Sequence, residues 1–378
     1  MSEWKKCPIG EVVTLRQGFA INAKSKHYMS KEETSLPLLR IADMKNGTKE
    51  VFVKEEIPQR FIAHPEDIIY TRTGNVGLVF RNNYGVMHNN CFSVTPNDAD
   101  ELSRDFLYYA LQNKTFFDTA NALARGAAQP DLPHTSFNLI EFAYPSLFVQ
   151  ERIATILSRY DSLIENYQKQ IKLLEEAARR LYKEWFIDLR FPGHENTKIV
   201  DGVPDGWTPS QLGQLVEFKR GKTITKKDVI DGDIPVVAGG LEPAYYCNKS
   251  NTAERVITVS GSGANAGFTR MYFEKVWASD CSFVDVSVTP FLHFIYCYLK
   301  DNKTTIDNMQ KGAAQPHVYA KDINSMELCI PIESVIKSFE RTASKYFDTI
   351  SSLQYQLRLL TEARDRLLPK LMSGEITV

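Results

Sequence analysis

Catalysis needs nucleophiles, acids, phosphate cradles or metal ligands at fixed spacings, and this chain offers few such sets. "GSGANAG" (261–267) approaches a dinucleotide-binding fingerprint, but its glycines fall as G-x-G-x-x-x-G in a β-rich segment that no amphipathic helix follows. "RGKTIT" (220–225) contains the GKT of a phosphate loop, yet the residue five before Gly221, where that loop needs glycine, is Val216. There is no H-E-x-x-H, and no N-P-P-[YF] or D-P-P-[YF] tetrapeptide with which an amino-methyltransferase grips its target base. His27, His64, His88, His134, His194, His293 and His317 form no local cluster, and a structural role suits each of them better. Cys7, Cys91, Cys247, Cys281, Cys297 and Cys329 are scattered without a C-x-x-C pair, so reduced, mostly buried thiols are expected rather than disulfides or zinc. An enzyme reading has little to stand on.

The elements that position the remaining polar residues come in two copies. "RGAAQP" at 125–130 returns as "KGAAQP" at 311–316, 186 positions later. At that offset the halves stay in register without a gap from Gly126/Gly312 to Leu181/Leu367, and 20 of the 56 pairs are identical, among them Asn138/Asn324, Pro145/Pro331, Tyr160/Tyr346 and Gln170/Gln356. A second alignment, at offset 203, matches Trp4 with Trp207, Gly10 with Gly213, Gly18 with Gly221 and Ile21 with Ile224. The offsets differ by 17, so the interior of the first half is 17 residues longer. The chain is a duplication with matched ends and divergent middles.

Bulk properties frame this. A length of 378 allows two domains and a connection, and 43% hydrophobic with 24% charged residues is ordinary globular composition. No run approaches 18 apolar residues, and "MSEWKKCPIG" lacks the apolar stretch of a signal peptide, so a cytoplasmic location is expected. The formal charge of −1 advertises no polyanion partner.

Each half reads as a strand-rich globular part followed by a long helix. Val149, Ile153, Ile156, Tyr160, Leu163, Tyr167, Ile171, Leu174, Ala178, Leu181 and Trp185 recur at spacings of three and four, and Val335, Phe339, Tyr346, Leu353, Leu357, Leu360, Leu367 and Leu371 repeat the pattern until Pro369 and Gly374 signal a stop. Roughly 35 residues make a helix on the order of 50 Å long. Two such amphipathic stripes in a duplicated chain predict an antiparallel, coiled-coil-like pair about a pseudo-two-fold axis; the plainer alternative packs each helix on its own domain. "EDIIYTRTGNVGLVF" (66–80) and "ERVITVSGSGANAGFTRMYF" (254–273) are β-branched runs broken by turn residues, and "LPLLRI" and "IPVVAG", from Leu36 and Ile234, look like equivalent strands. The expected class is α+β. Its predicted parts are a first domain 1–148, a spacer helix 149–186, a linker 187–206, a second domain 207–334, a second spacer helix 335–372 and a tail 373–378.

Two divergent strand-rich domains, each opened by W-x(5)-G and closed by "GAAQP" and a long helix, resemble the specificity subunit of type I restriction–modification systems. "LYKEWFIDLRFPGHE" (181–195), "GVPDGWTPSQLG" (202–213) and "LLPKLMSGEI" (367–376) also look like that family, and the match covers essentially the whole chain. The resemblance implies two target-recognition domains, each reading one half of a bipartite site in double-stranded DNA, with the helices setting the gap. It implies no chemistry and no cofactor in this chain. Two modification subunits would carry S-adenosylmethionine and methylate adenines, and two restriction subunits using ATP and Mg can join them.

For base readout the best candidates are Gly-bounded polar loops that can enter a groove. "TRTGNVG" (71–77) offers Arg72, suited to guanine, Asn75, suited to adenine, and Thr73; "SGSGANAG" (260–267) offers Ser260, Ser262 and Asn265, with no arginine and hence a different preference. Asn beside Gly is equally a plain turn former. Residues 1–148 hold 16 Lys+Arg against 17 Asp+Glu, and 207–334 hold 13 against 14, so basic groups must be segregated or partners must supply most phosphate contacts. "KRGKTITKK" (219–227) concentrates Lys219, Arg220, Lys222 and Lys226 around Thr223, and its counterpart "RQGFAINAKSK" (16–26) carries Arg16, Lys24 and Lys26. Gln129 and Gln315 do not differ between the halves, so "GAAQP" reads as scaffold, a turn back to the helix with Ala127 and Ala128 allowing close packing; a phosphate contact by the glutamines is the alternative. A duplicated coiled-coil protein adaptor and an enzyme assembled from distant segments are the competing classes.

Overall fold

The computed structural model describes residues 4–312 and 315–378. They form two compact units, Met1–Glu165 with Arg358–Val378, and Asn166–Leu357.

In the first unit a four-stranded antiparallel sheet has the order Val13–Gln17, Cys91–Pro96, Ile68–Thr71, Val79–Phe80, with Val94 opposite both Leu15 and Ile68. Ile68, Tyr70, Phe92 and Val94 bury one face in the main core, while Ile69 and Cys91 bury the other with Leu39, Ala63 and Met87. Strands covered on both sides carry continuous apolar runs, which is why "IIY" shows no alternation. The second unit repeats the sheet as Lys219–Arg220, Cys281–Asp285, Val256–Ser260, Thr269–Tyr272. There Ile257, Val259, Met271 and Val284 face the main core, and Val256, Tyr272 and Cys281 face Val237, Val276 and Ala278.

The strands expected to be equivalent, Leu36–Leu39 and Ile234–Val237, occupy the same place: Leu38 pairs in parallel with Val86, and Val236 with Trp277. The longer interior of the first half is spent here, on a five-stranded sheet where the second unit has three strands. The matched opening segments also have one role. Lys5–Pro8 pairs with Glu141–Tyr144, and Thr208–Gln211 with Glu327–Ile330, so each domain's start is tied to the strand before its long helix.

The long helices are α1, Leu147–Tyr182, and α2, Glu333–Met372. In the first unit Ile153, Ala154 and Leu157 of α1 share a core with Leu371 and Met372 of α2 and with Phe106, Phe142 and Tyr144 of the domain. Asp161 of α1 accepts from Arg364 of α2 at 3.0 Å and from Tyr109 at 2.7 Å. In the second unit Ala178 and Tyr182 of α1 join Phe339, Ala343 and Phe347 of α2 and Phe294 of the domain, with Tyr182 and Phe339 rings 6.3 Å apart. The start of one helix therefore lies beside the end of the other in each unit, which makes them antiparallel. Both packings considered from sequence occur together, because each helix end also completes its domain's core.

That double duty moves the buried stripe. Leu157 and Ile164 are buried, whereas Leu163, placed in the stripe by spacing alone, is 44% exposed. Pro369 does not stop α2 but lies inside its last turn, ahead of Gly374 at φ +73°. After Tyr182 the chain makes a π turn, Lys183–Ile187, that brings the adjacent Trp185 and Phe186 both into the core of the second unit. No helix among the described residues is long and apolar enough to cross a membrane.

Candidate nucleic-acid interface

At the end of each main sheet a hairpin loop projects, 72–78 in the first unit and 261–268 in the second. Two glycines shape each: Gly74 and Gly77 at φ +81° and +95°, Gly263 and Gly267 at +78° and +85°. A Cβ on Gly77 would lie 2.6 Å from the Phe117 ring, and one on Gly267 2.7 Å from Ile306 Cγ2, so only glycine lets the hairpin sit on its domain helix. Arg72 N–H donates to Asn90 O at 2.8 Å and Gly261 N–H to Asp280 O at 3.0 Å, an equivalent anchor on the neighbouring strand's turn.

Beside each hairpin lies the repeated segment. Residues 125–131 close into a loop in which Arg125 and Asp131 exchange both backbone hydrogen bonds at 2.8 Å; Lys311 and His317 do so at 3.0 and 2.9 Å. Ala313 and Ala314 lie outside the described residues. The loop clasps the hairpin through one conserved bond of the duplication: Gly74 N–H to Pro130 O at 2.8 Å, and Gly263 N–H to Pro316 O at 3.0 Å. Ala127, Ala128 and Gln129 are exposed, as is Gln315. The close packing expected of Ala127 and Ala128 is therefore absent; backbone bonds close the loop, and Gly126 permits its tight turn, since a Cβ there would meet Gln129 O at 2.9 Å.

The candidate side chains separate by environment. Arg72 donates to Asp131 through Nη2 at 2.7 Å and Nε at 3.2 Å, and to Gln17 Oε1 at 3.2 Å, while Thr73 donates to Asp131 at 2.6 Å. Partial burial pushes the Asp131 carboxyl up, but the hydrogen bonds from Arg72 and Thr73 outweigh it and hold the group below the usual carboxylate range. These groups fix the hairpin against the repeated loop, and Asn75 is left exposed at the tip. In the second unit Ser262 bonds Asp280, whose other oxygen lies 3.5 Å from Arg220, and Asn265 donates to Gly239 O at 3.4 Å. Ser260 is corrected: it is 4% exposed at a strand end, its hydroxyl unpartnered, and no groove can reach it.

The basic candidates divide likewise. Arg16 is bound to Asp67 at 2.6 Å and to the carbonyls of Arg60 and Ile62, which anchors its strand within the domain. Lys24 and Lys26 are exposed, as are Lys219, Arg220, Lys222, Thr223, Lys226 and Lys227. The turn 219–227 thus forms a solvated cationic edge one strand away from the hairpin, as a phosphate contact requires. Sequence reasoning missed Asp131, Gln17 and Asp280, which hold the loops, because those partners are 55 residues or more away in the chain or, for Asp280, 18 from Ser262 across a sheet. It also passed over Arg125 and Lys311, although a basic residue before "GAAQP" in both copies was visible.

Burial pushes the thiols of Cys91 and Cys281 up to about 12, which suppresses the thiolate. No group of His, Cys, Asp or Glu suited to a metal ion occurs among the described residues.

Two units that hold equivalent clasped hairpins over equivalent sheets, with side chains that differ at the tips, define a duplicated recognition protein. The chain belongs to the type I restriction modification DNA specificity domain family, matched over residues 1–176 and again over 204–357. It is 28% identical over 311 residues to the type I restriction enzyme MjaIX specificity subunit of Methanocaldococcus jannaschii, a match covering 76% of this chain and 72% of that one. To the HindI specificity subunit of Haemophilus influenzae it is 22% identical, with all of both chains covered. The crystal structure of a type I restriction-modification S subunit from M. genitalium has the same fold, with a TM-score of 0.62 at 19% identity over 98% of this chain and 96% of that one. The chain is a DNA specificity subunit, a recognition rather than a catalytic chain, and the adaptor and enzyme classes give way to it.

Proposed function

We propose that each unit reads one half of an asymmetric bipartite site, with hairpin 72–78 in one half-site and hairpin 261–268 in the other. The carrying observation is that the same backbone clasp, from Pro130 to Gly74 and from Pro316 to Gly263, presents two hairpins whose polar residues differ. A common mount with unlike tips is what two readers of unlike sequence need. Asn75 in the first unit, and Lys222, Lys226 and Thr223 in the second, are the exposed groups best suited to bases and phosphates; Arg72, Thr73, Ser262 and Asn265 position them.

The near-neutral charge supports a shared task. The subunit would work in the cytoplasm with two modification subunits that contribute phosphate contacts and S-adenosylmethionine, and with restriction subunits that use ATP and Mg, while binding no cofactor itself. The test is co-expression with the modification subunit and base-resolution mapping of adenine methylation. An asymmetric motif of two short halves at a fixed gap is expected. An active complex that methylates without any bipartite motif would sink the proposal.

A further inference from the structure

The repeated loops carry an inference that rests on this recognition role and deepens it. A segment that only returns the chain to its helix would bury the residues it keeps, yet Gln129 and Gln315 are both exposed. Among the described residues neither amide has a hydrogen-bond partner in the protein. The loops are closed without them. Each is closed by a two-way backbone pair, Arg125 with Asp131 and Lys311 with His317. Each turns on a glycine, Gly126 at φ +96° and Gly312 at φ +100°, over which the glutamine's own carbonyl folds, 2.9 and 2.7 Å from where a Cβ would be. That carbonyl points inward, the side chain stays outside, and the following proline carbonyl is bonded to the hairpin.

The same glutamine therefore stands at the same place beside two hairpins that differ. What is identical next to unlike readers has to meet something identical at unlike half-sites. In duplex DNA that feature is the sugar–phosphate backbone, to which side-chain amides donate without reading sequence. Exposed Arg125 begins the first loop, which favours a polyanion over a protein surface; Lys311 begins the second, exposed but bonded to Asp322 at 2.7 Å. We propose that Gln129 and Gln315 donate hydrogen bonds to the DNA backbone beside each half-site, fixing the depth and register of the neighbouring hairpin.

The test uses the full complex with its modification subunits, carrying Gln129→Ala, Gln315→Ala or both. Affinity for cognate and unrelated duplexes, the methylated motif, and co-purification of the subunits are measured. Each single variant is expected to weaken cognate and unrelated DNA by the same factor, roughly three- to tenfold as one hydrogen bond supplies, with motif and assembly unchanged. A motif relaxed at any base would make the glutamines readers, and loss of co-purification would make them a protein contact. Unchanged affinity would leave them as turn residues. Each of these three outcomes overturns the proposal. Absence of a bipartite motif from the unmodified complex is a separate readout that fails the recognition role instead.

Discussion

Arg72 reaches Asp131 with two nitrogens and Gln17 with a third, and this environment changes what the residue can do. From its type and its place in a Gly-bounded loop it suits guanine; with each of its three nitrogens bonded inside the protein it holds the hairpin instead. The pair is part-exposed, 19% and 38% at the side chains, so solvent screening limits it to about 1 kcal/mol. Arg72→Ala and Asp131→Ala should each lower the unfolding free energy by about that much, and the double variant should cost little more than either alone in a denaturant cycle. The sign of the pH dependence follows from the depressed Asp131 carboxyl. Its folded value lies below the unfolded one, so the stabilisation is present above the unfolded value and is lost as pH falls through the folded one. Unfolding free energies of the unmodified chain and Asp131→Asn should differ near neutrality and converge in acid. Curves that stay parallel would remove the carboxylate from the clasp.

At the scale of elements the matched glycines are explained by close approach. A Cβ on Gly18 would lie 2.2 Å from His88 O, and on its counterpart Gly221 2.4 Å from Ser279 O, because the turn after each edge strand passes directly against the turn that leads into the central strand. Gly10 and Gly213 meet Asn138 and Asn324 in the same way, which accounts for two pairs of identities at once. Gly18→Ala meets backbone atoms that cannot swing away, so it should cost towards the upper end of overpacking, about 3 kcal/mol, read as a drop in Tm. At Gly47, whose φ is +66° with no atom within 4 Å of a Cβ, only the backbone cost of about 1 kcal/mol applies. Equal losses at the two sites would refute the steric account. The helices were legible as elements from period and caps, but the buried face was not. Leu157, outside the expected stripe, is buried because α1 must face its domain as well as α2, and a stripe drawn for one partner misses the second.

For the molecule as a whole, duplication makes the units exchangeable parts. A chain whose reader 207–334 is replaced by 1–148 should direct methylation to a motif with two like halves. Two unlike halves from that chain would mean that specificity lies outside the readers. The sequence by itself determined the duplication, the long helices, the strand-rich class and the family, because repeats, periodicity and motif order are local or alignable properties. Only the tertiary structure decided which polar residues face outward. Arg16, Arg72 and Ser260 are taken up by partners or burial, while Asn75, Gln129 and Gln315 stand free at the tips. The physical reason is that a side chain's availability depends on what the fold brings beside it, and for these residues the decisive neighbours come from strands and loops far away in the chain.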